Sequence, residues 1–338
     1  MKKLFHRVVF VFNSMVAFAL LVSYLLPYVS PQVFPLLSVL SLTVPILIII
    51  NALFFLFWLI LLKRKMFLSL IVLLLGISHI SSFYKLQGTF SDNEEGTISL
   101  LSYNVHSFNR FRWIDSDSIP QDISTLVKEQ NPDIFCAQEF YNNPDINFDQ
   151  YSHKYEYFNN DNGELALVIF SRFPLINRGT LNFEKTANNV IYADVVMKSD
   201  TIRLYNIHLQ SHRINSKTDE LAKADSQKLL KRIQFSFKKQ QRQAEQLIAH
   251  MKSSPYKNIV MGDFNNTAYS YIYNQVISEG FQDAFKEAGT GFGKTFEFEL
   301  FPVRIDFILA PEEYEILEFR NFSKEFSDHY PIYSRLKL

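Results

Sequence analysis

The first 84 residues constrain this chain most, because they hold no Asp or Glu and are filled by three apolar runs, at 8–30, 36–62 and 66–84. A transmembrane helix needs about 20 apolar residues, whereas a helix in water needs a polar face. A cleaved signal peptide has one shorter apolar segment. The runs therefore predict a membrane region over residues 1–84 with three transmembrane helices, the third being only just long enough.

Basic residues indicate how this region is oriented. Three of them precede the first run, and "KRK" separates the second run from the third, whereas the loop "PYVSPQ" between the first two has none. Lys and Arg beside membrane spans stay on the cytoplasmic side. We therefore expect a multi-pass protein of the bacterial inner membrane, with a cytoplasmic N-terminus and a periplasmic domain from residue 85. If only two runs span, the domain stays in the cytoplasm.

Beyond the membrane region the chain is acidic on balance. Of the 34 Lys and Arg residues six lie before residue 85, which leaves 28 basic residues against 34 acidic ones. A generic nucleic-acid-binding protein is more often basic, so this balance counts weakly against one. The single cysteine, Cys136, lies in the apolar run "PDIFCAQEF". A buried thiol without a disulfide partner is therefore expected.

From residue 85 the pattern changes to that of a folded domain. A polar linker is predicted at 85–96, and short runs rich in β-branched and aromatic residues then predict strands. These runs are "TISLLSYNV", "PDIFCAQEF", "LALVIFS", "VIYADVVMK", "TIRLYNIHL", "NIVMGDF", "RIDFIL" and "YPIYSRLKL". Helices are predicted at 119–130, about 217–252 and 271–279. The mixture indicates an α/β sandwich over residues 97–338, with helices outside packed sheets.

The predicted helix at 217–252 is locally basic, with six Lys or Arg residues and no acidic residue between positions 226 and 242. A solvated face is the simpler interpretation. The functional alternative is a clamp for phosphate or for anionic lipid headgroups.

Six of the predicted strands end in, or begin at, polar side chains that could act as ligands or catalysts. These side chains are Asn104, Glu139, His208, Asp263 with Asn265, Asp306, and Asp328 with His329. Taken singly, each is an ordinary turn or structural residue. Together they indicate one site at the edge of a sheet.

The residue types in this set suit metal-assisted hydrolysis of a phosphoester. Mg²⁺ prefers oxygen ligands, keeps several waters and takes only one or two carboxylates. Glu139 is the predicted carboxylate ligand, with Asn104 and Asp328 assisting. Such a cation draws charge from the phosphoryl and leaving oxygens.

Acid–base roles can be predicted for the other polar residues. His329 is the candidate base, with Asp306 fixing its tautomer, and Asp263 is expected to hold the attacking water. The last two, Asn265 and His208, could donate hydrogen bonds to the phosphoryl oxygens as negative charge builds there.

The motifs "SYNVH", "QE", "NIHL", "GDFN", "RIDFI" and "SDHYP", in this order, make residues 97–338 resemble the endonuclease/exonuclease/phosphatase superfamily, which has the DNase I-like fold. The resemblance implies a four-layered α/β sandwich and a phosphodiesterase or phosphatase that uses Mg²⁺, with Mn²⁺ as an alternative. It places Asn104, Glu139 and Asp328 at the metal and His208 at the phosphate. It assigns Asp263 and Asn265 to the nucleophile and transition state, and Asp306 to the orientation of His329.

One position departs from the family pattern. Many nucleases of the family carry an Asp two residues after the first Asn, and this chain has His106 there. A second metal ligand is therefore missing at this position, which weakens an interpretation as an enzyme of abasic-site repair.

Three functions remain open at this point. The first is a membrane-anchored phosphoester hydrolase facing outward, whose anchor raises the effective concentration of lipid headgroups. The second is a membrane-tethered nuclease acting on extracellular DNA or RNA, and the third is a binding module without catalysis.

Overall fold

The computed structural model describes residues 1–88, 96–144, 146–158, 164–198, 200–214 and 225–338. The predicted linker at 85–96 therefore lies mostly outside the described residues. Within the described residues, the N-terminal region contains five α-helices. They are α1 (Lys2–Ser23), α2 (Pro35–Leu40), α3 (Val44–Ile60), α4 (Met66–Leu75) and α5 (Ile77–Ser81).

Two stretches of the N-terminal region are long and apolar enough to cross a membrane, namely Lys2–Tyr28 and Pro35–Ile60. By length and composition alone, a signal sequence near the N-terminus would pass the same test. The third predicted span is divided at Gly76 into α4, of 10 residues, and α5. Its passage through a membrane stays a prediction.

Polar residues hold the N-terminal helices together. The amide of Asn13 on α1 donates to the Ser69 hydroxyl on α4 at 2.6 Å, and the Trp58 indole on α3 donates to Asn13 at 2.9 Å. Large apolar side chains such as Phe12 and Phe18 point outward and are exposed. The exposed face is therefore largely apolar, whereas a helix bundle surrounded by water exposes a polar face.

The rest of the chain contains two six-stranded sheets. The first has the strand order β11-β12-β1-β2-β4-β3 and the second β5-β6-β7-β8-β10-β9. The strands are β1 (Thr97–Asn104), β2 (Ile134–Phe140), β3 (His153–Phe158), β4 (Ala166–Ser171), β5 (Leu175–Thr180), β6 (Val190–Val196), β7 (Thr201–His208), β8 (Lys257–Asp263), β9 (Phe281–Asp283), β10 (Asp306–Pro311), β11 (Glu315–Asn321) and β12 (Ile332–Lys337).

The two sheets pack face to face, with helices on their outer faces. Leu100 and Cys136 of the first sheet share one buried core with Leu204 and Met261 of the second. The further helices are α6 (Ile119–Gln130), α7 (Ser226–Lys252), α8 (Tyr271–Ile277) and α9 (Ala284–Ala288). The outer face of the first sheet packs on α6, and that of the second on α7 and α8. These layers confirm the α/β sandwich, and Cys136 is fully buried as expected.

The strands that the sequence pattern missed are β3, β5, β9 and β11. β3 and β5 are largely half-buried or exposed, β9 has three residues, and β11 carries charged residues among its apolar ones. Helix α7 begins at Ser226 because the Asp225 carboxylate caps it, accepting from two backbone N–H groups at 3.0 and 3.1 Å. Positions 217–224 of the predicted helix lie outside the described residues.

The N-terminal region packs directly on the sandwich. The Gln241 side chain on α7 accepts a hydrogen bond from the Ser30 hydroxyl at 2.9 Å. The Thr267 hydroxyl, just after β8, donates to the Ser41 carbonyl at 3.1 Å. The segment between α1 and α3 therefore lies beside the edge of the second sheet where β8 ends.

Candidate active site

The polar strand ends of the two sheets meet at one edge of the sandwich. Parallel pairing of β7 with β8 sets His208 opposite Asp263, and antiparallel pairing of β8 with β10 sets Asp263 opposite Asp306. From the other sheet, the Asn104 amide at the end of β1 donates to the Asp263 carboxylate at 3.2 Å. Asn104 thus connects the two halves of the site.

The backbone is unusual where these strands end. Gly262 has φ +136°, and a Cβ there would lie 2.2 Å from the Ile207 carbonyl oxygen, so only glycine fits. Glu139 and Asn265 have φ near +50°, which is uncommon for residues other than Gly and Asn and therefore unusual at Glu139, and β2 has a register shift beside Glu139. Such conformations cost free energy and concentrate at functional sites.

Asp263 lies at the centre of the site and is 1% exposed. Its carboxylate accepts from the Asn265 backbone N–H at 2.7 Å and from the Asn265 amide at 3.0 Å. The Nε2 atoms of His208 and His329 each lie 3.6 Å from it. Burial raises the pKa of the Asp263 carboxyl, while His329 opposes this rise. Asp263 therefore has a higher proton affinity than an ordinary aspartate.

The imidazole of His329 is held by Asp306, whose Oδ2 lies 2.9 Å from Nδ1 of the ring. Burial alone would lower the pKa of His329, but the carboxylates of Asp306 and Asp263 outweigh it and raise that pKa well above its usual value. Burial lowers the pKa of His208. The two histidines therefore favour different charges within one site.

Two of the three predicted metal-binding residues adjoin each other, and the third has a partner of its own. The Asn104 amide lies 3.4 Å from Glu139, whose side chain is 28% exposed. Asp328 faces His106, with 2.9 Å between Oδ1 and Nδ1. Burial would raise the pKa of Asp328, but the His106 hydrogen bond and nearby charges lower it to about 2.

A different set, Asp263, Asp306 and His329, has potential ligand atoms that all lie within 4.8 Å of one another. In this set, however, Asp306 and His329 are hydrogen-bonded to each other.

The site faces a cavity of about 310 Å³. Six of the eight predicted site residues line it, namely Glu139, His208, Asp263, Asn265, Asp328 and His329. Asn104 and Asp306 are buried behind them at 2% exposure. All eight predicted residues therefore belong to one constellation.

Sequence reasoning missed several side chains around the cavity. His106 was noted only as a departure from the family pattern, yet it pairs with Asp328 and stacks on Trp113 with ring centroids 4.7 Å apart. The buried side chain of His212 also lines the cavity, and neither of its ring nitrogens has a hydrogen-bond partner. In the sequence, the signal that could have drawn attention to His212 was its position four residues after His208.

Comparisons with solved structures agree with the fold. A family protein from Bacteroides vulgatus aligns with a TM-score of 0.54 at 18% identity, over 72% of this chain and 99% of that one. A relative from Bacteroides thetaiotaomicron gives 0.51 at 17% identity, over 72% and 98%. Humanized D. rerio TDP2 carrying 14 mutations gives 0.52 at 15% identity, over 72% and 100%. At sequence identities this low, the comparisons show a shared fold and nothing about function.

A comparison with curated proteins found no match. A family model described only as a domain of unknown function matches residues 6–83. The model of the endonuclease/exonuclease/phosphatase family matches residues 101–329, which is more than half of the chain. Family and fold together point to a phosphoester hydrolase. The chain belongs to the endonuclease/exonuclease/phosphatase family.

Proposed function

We propose that this protein is a membrane-anchored, divalent-metal-dependent phosphoester hydrolase that acts on phosphodiesters. The observation that carries the proposal is the cavity at the sheet edge, where Glu139, His208, Asp263 and His329 face one another. Two carboxylates and two imidazoles around one open space can bind, polarise and protonate a phosphoryl group and an attacking water.

Asp263 and Asn265 hold the attacking water in this proposal. The raised pKa of Asp263 suits it to accept the proton of that water. The raised pKa of His329 favours the imidazolium form, which donates to a phosphoryl or leaving oxygen rather than acting as the base expected from sequence. Asp306 keeps the ring oriented and charged, and His208 donates a further hydrogen bond to the phosphate.

Glu139, with Asn104 and Asp328, would hold the metal, with Mg²⁺ as the first choice and Mn²⁺ as the alternative. The Glu139 carboxylate faces the cavity, and its nearest polar neighbours lie 3.4 and 3.7 Å away, which leaves its oxygens free to accept a hard cation. When bound, the ion supplies charge stabilisation to the phosphoryl oxygens. The set has few carboxylates, as Mg²⁺ sites do.

The proposal divides the chain into a membrane region at 1–84, a linker at 85–96 and a catalytic domain at 97–338. Exposed Phe12 and Phe18 around a buried Asn13 support a bilayer as the solvent of the helices. Three spans and the basic residues beside them would set the domain on the outer, periplasmic side.

The full chain, purified and reconstituted in lipid nanodiscs, tests the proposed function. Hydrolysis of an aryl phosphodiester, sphingomyelin, phosphatidylcholine, an inositol polyphosphate, DNA and RNA would be measured with Mg²⁺, with Mn²⁺ and with EDTA. We expect metal-dependent turnover that His329→Ala lowers by about 10²–10⁴-fold. A folded chain that binds metal and turns over no phosphoester would contradict it and favour a binding module.

A nuclease is the second candidate, and two observations favour it. Helix α7 presents Lys228, Lys231, Arg232 and Arg242 as exposed side chains, and a fold neighbour, D. rerio TDP2, has been crystallised with a single-stranded DNA product. Hydrolysis of single-stranded DNA measured against salt concentration tests it. A nuclease that binds through this helix would lose affinity steeply as salt rises, because DNA carries many phosphate charges. A hydrolase of small aryl alkyl diesters, which carry a single negative charge, would show only a weak dependence on salt.

A further inference from the structure

The cavity at the active site has a polar floor and an apolar wall. The catalytic carboxylates and imidazoles form the floor. The wall consists of Leu42, Ile214, Phe296, Phe298, Phe301 and Val303. Hydrolysis of a phosphoester needs the floor alone, so the wall has no function in the proposed chemistry.

Part of this wall comes from the N-terminal region. Leu42 lies in the short turn Ser41–Thr43, which connects α2 to α3. The Thr267 hydroxyl fixes the turn at 3.1 Å, and the Gln32 amide donates to the Lys238 carbonyl of α7 at 2.7 Å. Leu42, near the start of the second membrane-length stretch, Pro35–Ile60, is thereby brought to the cavity beside Asn265.

The larger part of the wall comes from the loop between α9 and β10, which is also attached to the N-terminal region. The backbone of Gly291 exchanges two hydrogen bonds of 2.9 Å with Lys85. The Phe292 ring packs against Phe83 and Tyr84, with centroids 5.1 and 4.9 Å apart. Farther along the same loop, Leu300 is 59% exposed.

Two segments attached to the N-terminal helices therefore line one side of a cavity whose floor is polar. We propose that the substrate is a bilayer lipid whose phosphoester lies on the floor and whose hydrocarbon chain runs along Leu42 and Phe301 toward the membrane. This inference rests on the proposed function and narrows its substrate class. The cavity of about 310 Å³ has room for a headgroup and the start of a chain.

A stacked nucleobase is the competing occupant, because phenylalanine rings also bind bases. The wall fits a hydrocarbon chain better. Leu42 and Val303 are aliphatic, and the Phe296 ring lies edge-on to His329 at 5.0 Å and 64°, so it already packs within the site.

Chain-length dependence tests the inference without requiring a known headgroup. The full chain in phosphatidylcholine nanodiscs would be assayed on 4-nitrophenyl methyl phosphate and on 4-nitrophenyl octyl phosphate below its micellar concentration. Each buried CH₂ is worth about fourfold, so we expect kcat/KM to be at least about tenfold higher for the octyl ester.

Leu42→Asn and Phe301→Ser should each lower the octyl-to-methyl ratio of kcat/KM by at least about fivefold, because each removes part of the wall. Ile176→Ser is the matched control, since Ile176 is an exposed apolar residue on β5 outside the cavity. It should leave the ratio unchanged. Equal kcat/KM for both esters, in the unchanged chain and in both wall variants, would overturn the lipid inference and leave the proposed hydrolase standing.

If neither ester is cleaved, that result counts against the proposed function and leaves the lipid inference to be tested by photo-crosslinking. A hexadecyl phosphonate with a diazirine in its chain would be incorporated in the nanodiscs, and labelled peptides mapped. We expect label at residues 36–43 and 296–303. Label confined to the outer surfaces of α1 and α3, or label at the wall that single-stranded DNA displaces, would overturn the inference.

Discussion

The Nδ1 atom of His329 lies 2.9 Å from Oδ2 of Asp306, with both side chains buried. His329 lies just before the last strand, β12, and Asp306 is the first residue of β10. The other ring nitrogen of His329, Nε2, lies 3.6 Å from the Asp263 carboxylate. Because two carboxylates flank one imidazole, the positive charge of the ring is stabilised there. Removing one of these carboxylates should therefore change the pKa of His329.

The first prediction concerns Asp306→Asn. The substitution keeps a hydrogen-bond acceptor for His329 but removes a negative charge, so the raised pKa of His329 should fall. If the imidazolium is required, activity is lost as pH rises through this pKa, and the alkaline limb of the kcat profile should move to lower pH in the variant. The measurement is kcat against pH for both proteins.

Asp194→Asn is the matched control for that prediction, because Asp194 is also buried and paired, with Arg203 at 2.6 Å, but lies outside the cavity. It should lower Tm without moving the pH limb. A kcat that rises with pH through the titration of His329 would instead identify His329 as a base.

The second prediction concerns metal binding. EDTA should abolish turnover and Mg²⁺ should restore it. Glu139→Gln should weaken Mg²⁺ binding at least about tenfold, because a neutral amide replaces the carboxylate proposed to bind the cation. Isothermal titration calorimetry measures the affinity independently of activity. Glu315→Gln, at an exposed position on β11, is the control and should change nothing. Equal Mg²⁺ affinity in both variants would exclude Glu139 as a ligand.

The third prediction concerns Gly262, which directly precedes Asp263 at the end of β8. Gly262→Ala forces a Cβ to 2.2 Å from the Ile207 carbonyl, and should cost about 2–4 kcal/mol of unfolding free energy. Gly280→Ala is the control, because Gly280 also has positive φ, +89°, but has open space around it. It should cost about 1 kcal/mol. Thermal unfolding of both variants gives the comparison, and equal Tm values would refute the crowding argument.

The fourth prediction concerns stability in acid. Burial lowers the pKa of His212 from 6.5 to about 3, and its ring packs at a tilt against Phe237 with centroids 4.6 Å apart. Between these two values the unfolded chain binds one more proton than the folded chain, so stability falls as pH drops through 6.5 toward 3. At pH 5 the loss is about 2 kcal/mol.

His212→Phe should remove this contribution, so its Tm should fall less between pH 7 and pH 5 than that of the unchanged chain. His153→Leu, on the edge strand β3, controls for removing a histidine. The same drop in Tm for all three proteins would show that His212 does not titrate between folded and unfolded states.

The sequence was sufficient to predict the eight buried or semi-buried strands, because alternation and β-branched residues carry a local signal. It also indicated eight candidate residues that the structure brings to one edge of the sandwich, since each lies where an apolar run meets polar residues. It missed edge strands such as β5, where half-exposed polar side chains give no such signal.

Only the tertiary structure decided how these pieces meet. The Asn104–Asp263 contact joins two sheets over 159 positions of sequence, and Leu42 reaches the same cavity from the N-terminal region. Contacts of this kind depend on how sheets and helices pack rather than on neighbouring residues. For that reason the apolar runs alone predicted a membrane region, whereas only the packing of that region beside the cavity led to the proposal of a lipid substrate.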